Sequence, residues 1–212
     1  MKKDYVISVG VFIITASLIF IVTRDFFLNF ASDYKILGGF IKFFFLASIG
    51  DFIALRIKSK EWKIPNYIFM KALIWGLIGI SIVLMFVIYP LGIEALQTKN
   101  ILPFDGNTFF FALFVSVIMN VTFAPTMMAF HRVTDTFLNL RVDNKKVTIK
   151  EAIEAVNWSQ FINFTIFRSI PLFWIPAHTI TFLLPEEYRI VFAAVLGIFL
   201  GLILGLFNNR SK

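Results

Sequence analysis

The sequence predicts an all-α polytopic membrane bundle: six transmembrane helices in a single integral membrane domain spanning residues 1–212, with the N and C termini both cytoplasmic. Three observations carry this. Hydrophobic residues make up 58% of the 212 positions and charged residues only 16%, where a soluble domain has about 45–50% and about 25%. Six apolar stretches are each long enough to cross a hydrocarbon core of ~30 Å, which takes ~20 helical residues. The positive charges divide unevenly between the loops that six spans would leave on either side. The stretches are continuously apolar and lack a period of two, which excludes barrel strands.

The first stretch, about 5–22, carries no charge. Lys2 and Lys3 before it resemble the start of a secretory signal. The run is long, however, and passes into Thr23-Arg24-Asp25 without a small-residue cleavage site, so it reads as a retained span. The second, about 36–57, holds Lys42 and Asp51 before Arg56, and the third, about 67–91, holds Lys71 near its start. The fourth, about 108–131, is uncharged. The fifth, about 157–184, holds only Arg168 and contains Pro171 and Pro176. Proline removes a backbone donor and kinks helices, so this span is expected to be kinked or broken. The sixth, about 189–207, is uncharged beyond Arg189.

With six spans, 13 of the 20 Lys and Arg fall with the two termini, mostly in the segments 56–63 and 132–150, while Arg24, Lys35, Lys99 and Arg189 fall on the other side. Positive residues mark the cytoplasmic face. In the longest loop, Thr148 and Glu151 have capping-box spacing, which predicts a short cytoplasmic helix over about 149–157.

Charged and polar groups inside spans are costly and mark sites. Arg168 lies about ten residues, or ~15 Å, from the inner end of the fifth span; Asp51 lies ~9 Å from the same face. Asn120 sits at comparable depth. Asp51 and Arg168 are therefore expected to face each other, with Asn120 within hydrogen-bonding reach. Two readings stand open: a polar constellation lining a cavity, or a structural ion pair locking two helices. Trp174 and His178 flank the second proline of the fifth span and join the pore or solute-binding candidates, because irregular backbone at membrane depth survives where it lines a cavity or is buried in protein. Lys42 and Lys71 lie near span ends, where snorkelling accounts for them. Gly197, Gly201 and Gly205 share one face of the last span, a helix-packing surface for the monomer or for a homo-oligomer.

Several functions are excluded. The chain has no cysteine, hence no disulfide or thiolate metal site. His131 and His178 fall at opposite ends of their spans, so no metal or haem site is expected. No P-loop, Gly-x-Ser-x-Gly or His-Glu-x-x-His signature is present, so neither an enzyme nor a bound cofactor is expected. The net charge of +7 follows the loops and does not indicate nucleic acid. The His131-Arg132-x-x-Asp135 set reads as the charged end of a helix at the membrane surface.

Trp174-Ile-Pro176-Ala177 followed by Phe182 and Pro185-Glu-Glu-Tyr188-Arg189 resembles the C-terminal signature of the Mpv-seventeen / peroxisomal membrane protein family. Gly50-Asp51 and Phe123-Ala124-Pro125 are similar to further family motifs. The likeness runs from about residue 40 to 207. It departs where the family has Asp-Gln and this chain has Asn120-Val121, and again in the last segment at Gly201 and Gly205. The first span is an addition. The resemblance implies a divergent bacterial relative, small and membrane-embedded, that forms a channel or alters small-solute permeability. The N-terminus is not an Arg-rich transit peptide, which favours a bacterial plasma membrane over an organelle membrane. The expected partners are the lipid bilayer and a small polar or anionic solute; a non-transporting scaffold or assembly factor is the alternative function.

Overall fold

In a computed structural model, which describes residues 34–61, 63–143, 146–193 and 195–196, every element is helical. Helix α1 is Lys35–Ser59, α2 is Ile68–Thr98, α3 is Thr108–Thr122, α4 is Ala124–Asp143 and α5 is Ile149–Ala155. Helix α6 is Trp158–Leu183, and α7 covers residues 186–193. Among the described residues, α2 and α6 are each long and apolar enough to cross a membrane, and the bent pair α3–α4 makes a third if it is counted as one span. The described residues form an all-helical fold, and these apolar helices mark the chain as an integral membrane protein. The stretch at 5–22 and the glycines Gly197, Gly201 and Gly205 lie outside the described residues.

Helices α1 and α2 pack closely because glycines stand where they meet. A β-carbon on Gly79 would come 2.7 Å from the Gly39 carbonyl and 2.8 Å from Cβ of Phe43, and one on Gly76 would enter the Phe40 ring at 2.5 Å. A β-carbon on Gly39 would collide with Val83. Small residues at a crossing let backbones approach, which is how membrane helices gain van der Waals contact without a hydrophobic drive. Phe43 then stacks on Trp75 at 6.4 Å, and the core continues through Ile78, Ile82, Phe86, Val115 and Phe182.

The apolar run of α2 ends near Leu91, but the helix continues through Pro90 to Thr98. Its last turn is held by Gln97, which is buried and donates to the carbonyls of Pro103 and Phe104 at 3.2 and 3.1 Å. Those bonds fix a connection with left-handed backbone at Asn100, Phe104 and Gly106. Asn107 then caps α3, accepting from the amides of Phe109 and Phe110.

The fourth stretch corrects its expected boundaries. No loop begins after 131: the helix bends by 44° near Phe123 and resumes to Asp143. Pro125 supplies the cause, since it has no N–H for the carbonyl one turn back and its ring crowds that carbonyl. Beyond the bend α4 carries charge, yet it is held to α2. Lys71 Nζ pairs with Asp135 at 2.7 Å, the Tyr67 hydroxyl donates to the Arg141 carbonyl at 3.1 Å, and the His131 ring packs on Trp75 at 4.3 Å. His131-Arg132-x-x-Asp135 thus lies within a helix and not at its end. Thr148 caps α5 by accepting from the Glu151 amide, while the Glu151 carboxylate accepts from the Thr148 amide at 2.7 Å.

Helix α6 runs through both prolines as one element. Asn157 caps it by accepting from the Gln160 amide. Phe161–Trp174 winds as a π-helix, and Ile175–Leu183 returns to α-helix with Pro176 in its first turn. Because the helix is continuous here, Pro176 leaves a carbonyl of the preceding turn without its amide donor. Arg189 of α7 turns back on the end of α6. Its Nε donates to the Leu184 carbonyl at 2.9 Å, its Nη2 donates to Phe182 at 3.2 Å, and its guanidinium sits 5.7 Å from the Phe182 ring centre.

Candidate functional site

A polar node lies between α3 and the α-helical end of α6. Asn120 and Ser116 are one turn apart on α3 and fully buried. The Asn120 amide donates to the Ser116 carbonyl at 2.8 Å. Nδ1 of His178 lies 2.9 Å from Asn120 Nδ2 and 3.1 Å from Oδ1. The Ser116 hydroxyl crosses to α6 and donates to the Ile175 carbonyl at 2.7 Å, which also accepts from Thr179 at 2.8 Å. The His178 ring stacks on Trp174 at 5.3 Å and meets Phe86 edge-on at 6.0 Å. The backbone explains this convergence. Trp174 and His178 straddle the change from π to α winding, one turn apart, which stacks their rings, and His178 reaches Phe86 of α2 and Asn120 of α3.

Phe86 also forms a wall of a cavity of about 270 Å³. Lys35, Gly39 and Lys42 of α1 line it, with Val83, Phe86 and Val87 of α2 and Glu186, Glu187, Arg189 and Ile190 from the start of α7. Lys35 Nζ and Glu186 pair across its rim at 2.6 Å. That ammonium holds the Glu186 carboxyl below the usual carboxylate value, first by hydrogen bonding and then by charge. The cavity and the polar node are thus adjacent, with one aromatic ring between them.

Of the residues singled out from the sequence, the structure brings together Asn120, His178 and Trp174. Arg168 does not join them: its side chain is exposed, and among the described residues it makes no ion pair. The side chain of Asp51 lies outside the description, so the expected Asp51–Arg168 pair is not found from the Arg168 side. The winding gives the reason. The expected face assumed 3.6 residues per turn; i→i+5 bonding over Phe161–Trp174 turns each side chain away from its α-helical bearing.

Ser116, Phe86 and the cavity residues Lys35, Lys42, Glu186 and Arg189 were not singled out for the site. Ser116 carried a signal, since Ser-x-x-x-Asn places two polar groups on one face of an apolar helix. The cavity residues come from segments far apart in sequence, and only packing unites them. No family model, curated protein or solved structure matches this chain.

Proposed function

We propose that this chain is a small-solute permeation protein whose intramembrane site is the Asn120–His178 node, entered from the Lys35–Lys42–Arg189 cavity. The carrying observation is their adjacency: Phe86 is at once a wall of the cavity and a ring partner of His178. Polar groups at membrane depth mark solute routes, and the resemblance to the Mpv-seventeen family points to the same class of activity. In this reading the chain has six spans, a fifth span bent at its prolines, and both termini in the cytoplasm of a bacterium. It is not an enzyme.

Flux tests it. Protein reconstituted in phosphatidylcholine vesicles should raise the permeability to small polar solutes above that of empty vesicles. Phe86→Ala, which opens the wall, should raise it further. Vesicles as tight as empty ones, with both proteins folded, would reject the reading. The scaffold alternative draws on a different observation: the Asn120–Ser116–His178 network is satisfied internally, as a structural crosslink would be. It predicts no flux from either protein, and a thermal stability that depends on Asn120.

A further inference from the structure

We infer that the cavity beneath the Lys35–Glu186 pair binds a small amphiphilic monocarboxylate through the Lys42 ammonium. The inference names the substrate class of the permeation site and rests on that reading for its use in transport, though binding can be measured separately.

The position of Lys42 comes first. It lies two helical turns along α1 from Lys35, ~10 Å further from the rim. It is half-buried. Proximity to a span end suggested that it snorkels outward, but it lines the partly open cavity with Phe86 and Val83.

The charge balance follows. Three cations and two carboxylates line the cavity. Lys35 and Glu186 neutralise one another at the rim. Arg189 is turned onto the carbonyls of Leu184 and Phe182. Glu187 is exposed. Among the described residues Lys42 has no acid partner. A half-buried ammonium without a counter-ion is unfavourable in a low-dielectric wall, and an incoming anion relieves it. The surplus is a single positive charge, which suits a monoanion and not a phosphate dianion.

Size and walls set the rest of the ligand. A cavity of about 270 Å³ lies just under the ~300–1,000 Å³ of sites for drug-sized ligands. Val83, Phe86, Val87 and Ile190 offer apolar surface that a bare inorganic anion would leave unused. A carboxylate on a short apolar body uses both the charge and the walls. Such a group reaches the site either from water, as a short-chain acid, or from the bilayer, as a fatty acid.

Hexanoate is the probe. Titrated at pH 7.5 into the full-length protein in detergent, it should bind saturably, whereas hexanamide, which lacks the charge, should not. Lys42→Gln should weaken binding at least tenfold. Lys42→Arg should restore most of it, and Lys99→Gln, outside the cavity, should change nothing. Oleate carried in nanodiscs should displace hexanoate if the natural source is the bilayer and should fail to if it is water; in either case Lys42 must be required. Equal hexanoate binding by folded Lys42→Gln, or equal binding of hexanamide, overturns the inference. Should Lys42→Gln fail to fold, mass spectrometry of the wild type decides: hexanoate must shield Lys42 from reductive methylation, and an unshielded Lys42 overturns the inference. Lys42-dependent hexanoate binding without vesicle flux would reject permeation and leave the site standing. Vesicle flux together with hexanoate binding unchanged by Lys42→Gln would keep permeation and reject the site.

Discussion

Asn120 and His178 stand 58 positions apart in the chain and 2.9 Å apart in the fold. Their side chains tie α3 to α6, with Ser116 completing the link. Asn120→Ala leaves the imidazole nitrogen without its partner. A buried polar group so stranded costs about 1–3 kcal/mol, and in a chain of this size each kcal/mol lowers Tm by roughly 2–4 °C. Thermal unfolding in detergent should show the drop. Asn120→Leu combined with His178→Phe should cost less than the two single changes added together, with coupling on the order of 0.5–3 kcal/mol. Strict additivity would mean that the two residues do not act as a pair.

The glycines of the α1–α2 crossing separate packing from propensity. Gly79→Ala forces a β-carbon against the Gly39 carbonyl, and backbone cannot move aside cheaply, so a loss of about 1–3 kcal/mol is expected. Gly76→Ala meets the outer atoms of the Phe40 ring, which can rotate away, and should cost less. Gly92→Ala, on the same helix, meets nothing within 4 Å and should stabilise by about 0.5–1 kcal/mol by removing a helix-interior glycine. Melting temperatures should fall in the order Gly92→Ala, wild type, Gly76→Ala, Gly79→Ala. Any stabilisation by Gly79→Ala would contradict the close crossing.

Legibility in the sequence followed the range of the interactions. Long apolar runs revealed the helical membrane class, because burial in lipid acts on every residue of a span. The Thr148–Glu151 capping box was legible because both partners lie within one turn. The extension of α4 to Asp143 was not, since its charged residues resemble a loop until Lys71 and Tyr67 hold them from another helix. Asn120 was recognisable as a costly buried polar group, but its partner was not, because hydropathy gives depth without bearing. The same gap assigned Lys42 to snorkelling and turned Arg168 inward.

Arg168 now carries the opposite expectation from a buried ion-pair member. Its side chain is exposed on α6, next to the exposed Phe167 and close to the exposed Leu172. A centrally placed arginine costs about 2.5–3.5 kcal/mol on insertion scales. Arg168→Leu should therefore leave folded yield unchanged or raise it, judged by monodisperse protein recovered from membranes. A collapse in yield would show that the guanidinium has an essential partner.

The Lys35–Glu186 pair gives a pH signature. The Glu186 carboxyl lies below its usual value of 4.5 in the folded chain. Its contribution to stability is thus fully present above that value and is lost as pH falls through the lower folded value. Both side chains are more than half exposed, so the effect is small, at most about 1 kcal/mol. The wild type should melt slightly above Glu186→Gln at pH 7, and the gap should close as the pH drops below about 4.5. High salt at pH 7 should shrink the same gap. A gap that widens in acid would mean that Glu186 is stabilised by protonation and not by Lys35.

The orientation of the chain rests on its distribution of positive charge and is open to direct labelling. Lys150 is well exposed on α5, within the segment richest in Lys and Arg. If positive residues mark the inner face, Lys150→Cys in intact bacterial cells should react with a membrane-permeant maleimide and resist an impermeant one. Lys99→Cys, at the opposite end of α2 from Tyr67, should react with both. The chain has no native cysteine, so each signal reports one site. The two positions also control for each other, since the bent pair α3–α4 lies between them in the chain and, as one span, carries them to opposite faces. Labelling of Lys150→Cys alone by the impermeant reagent would invert the topology. Labelling of both positions in intact cells would break the assignment of the bent pair α3–α4 as one span.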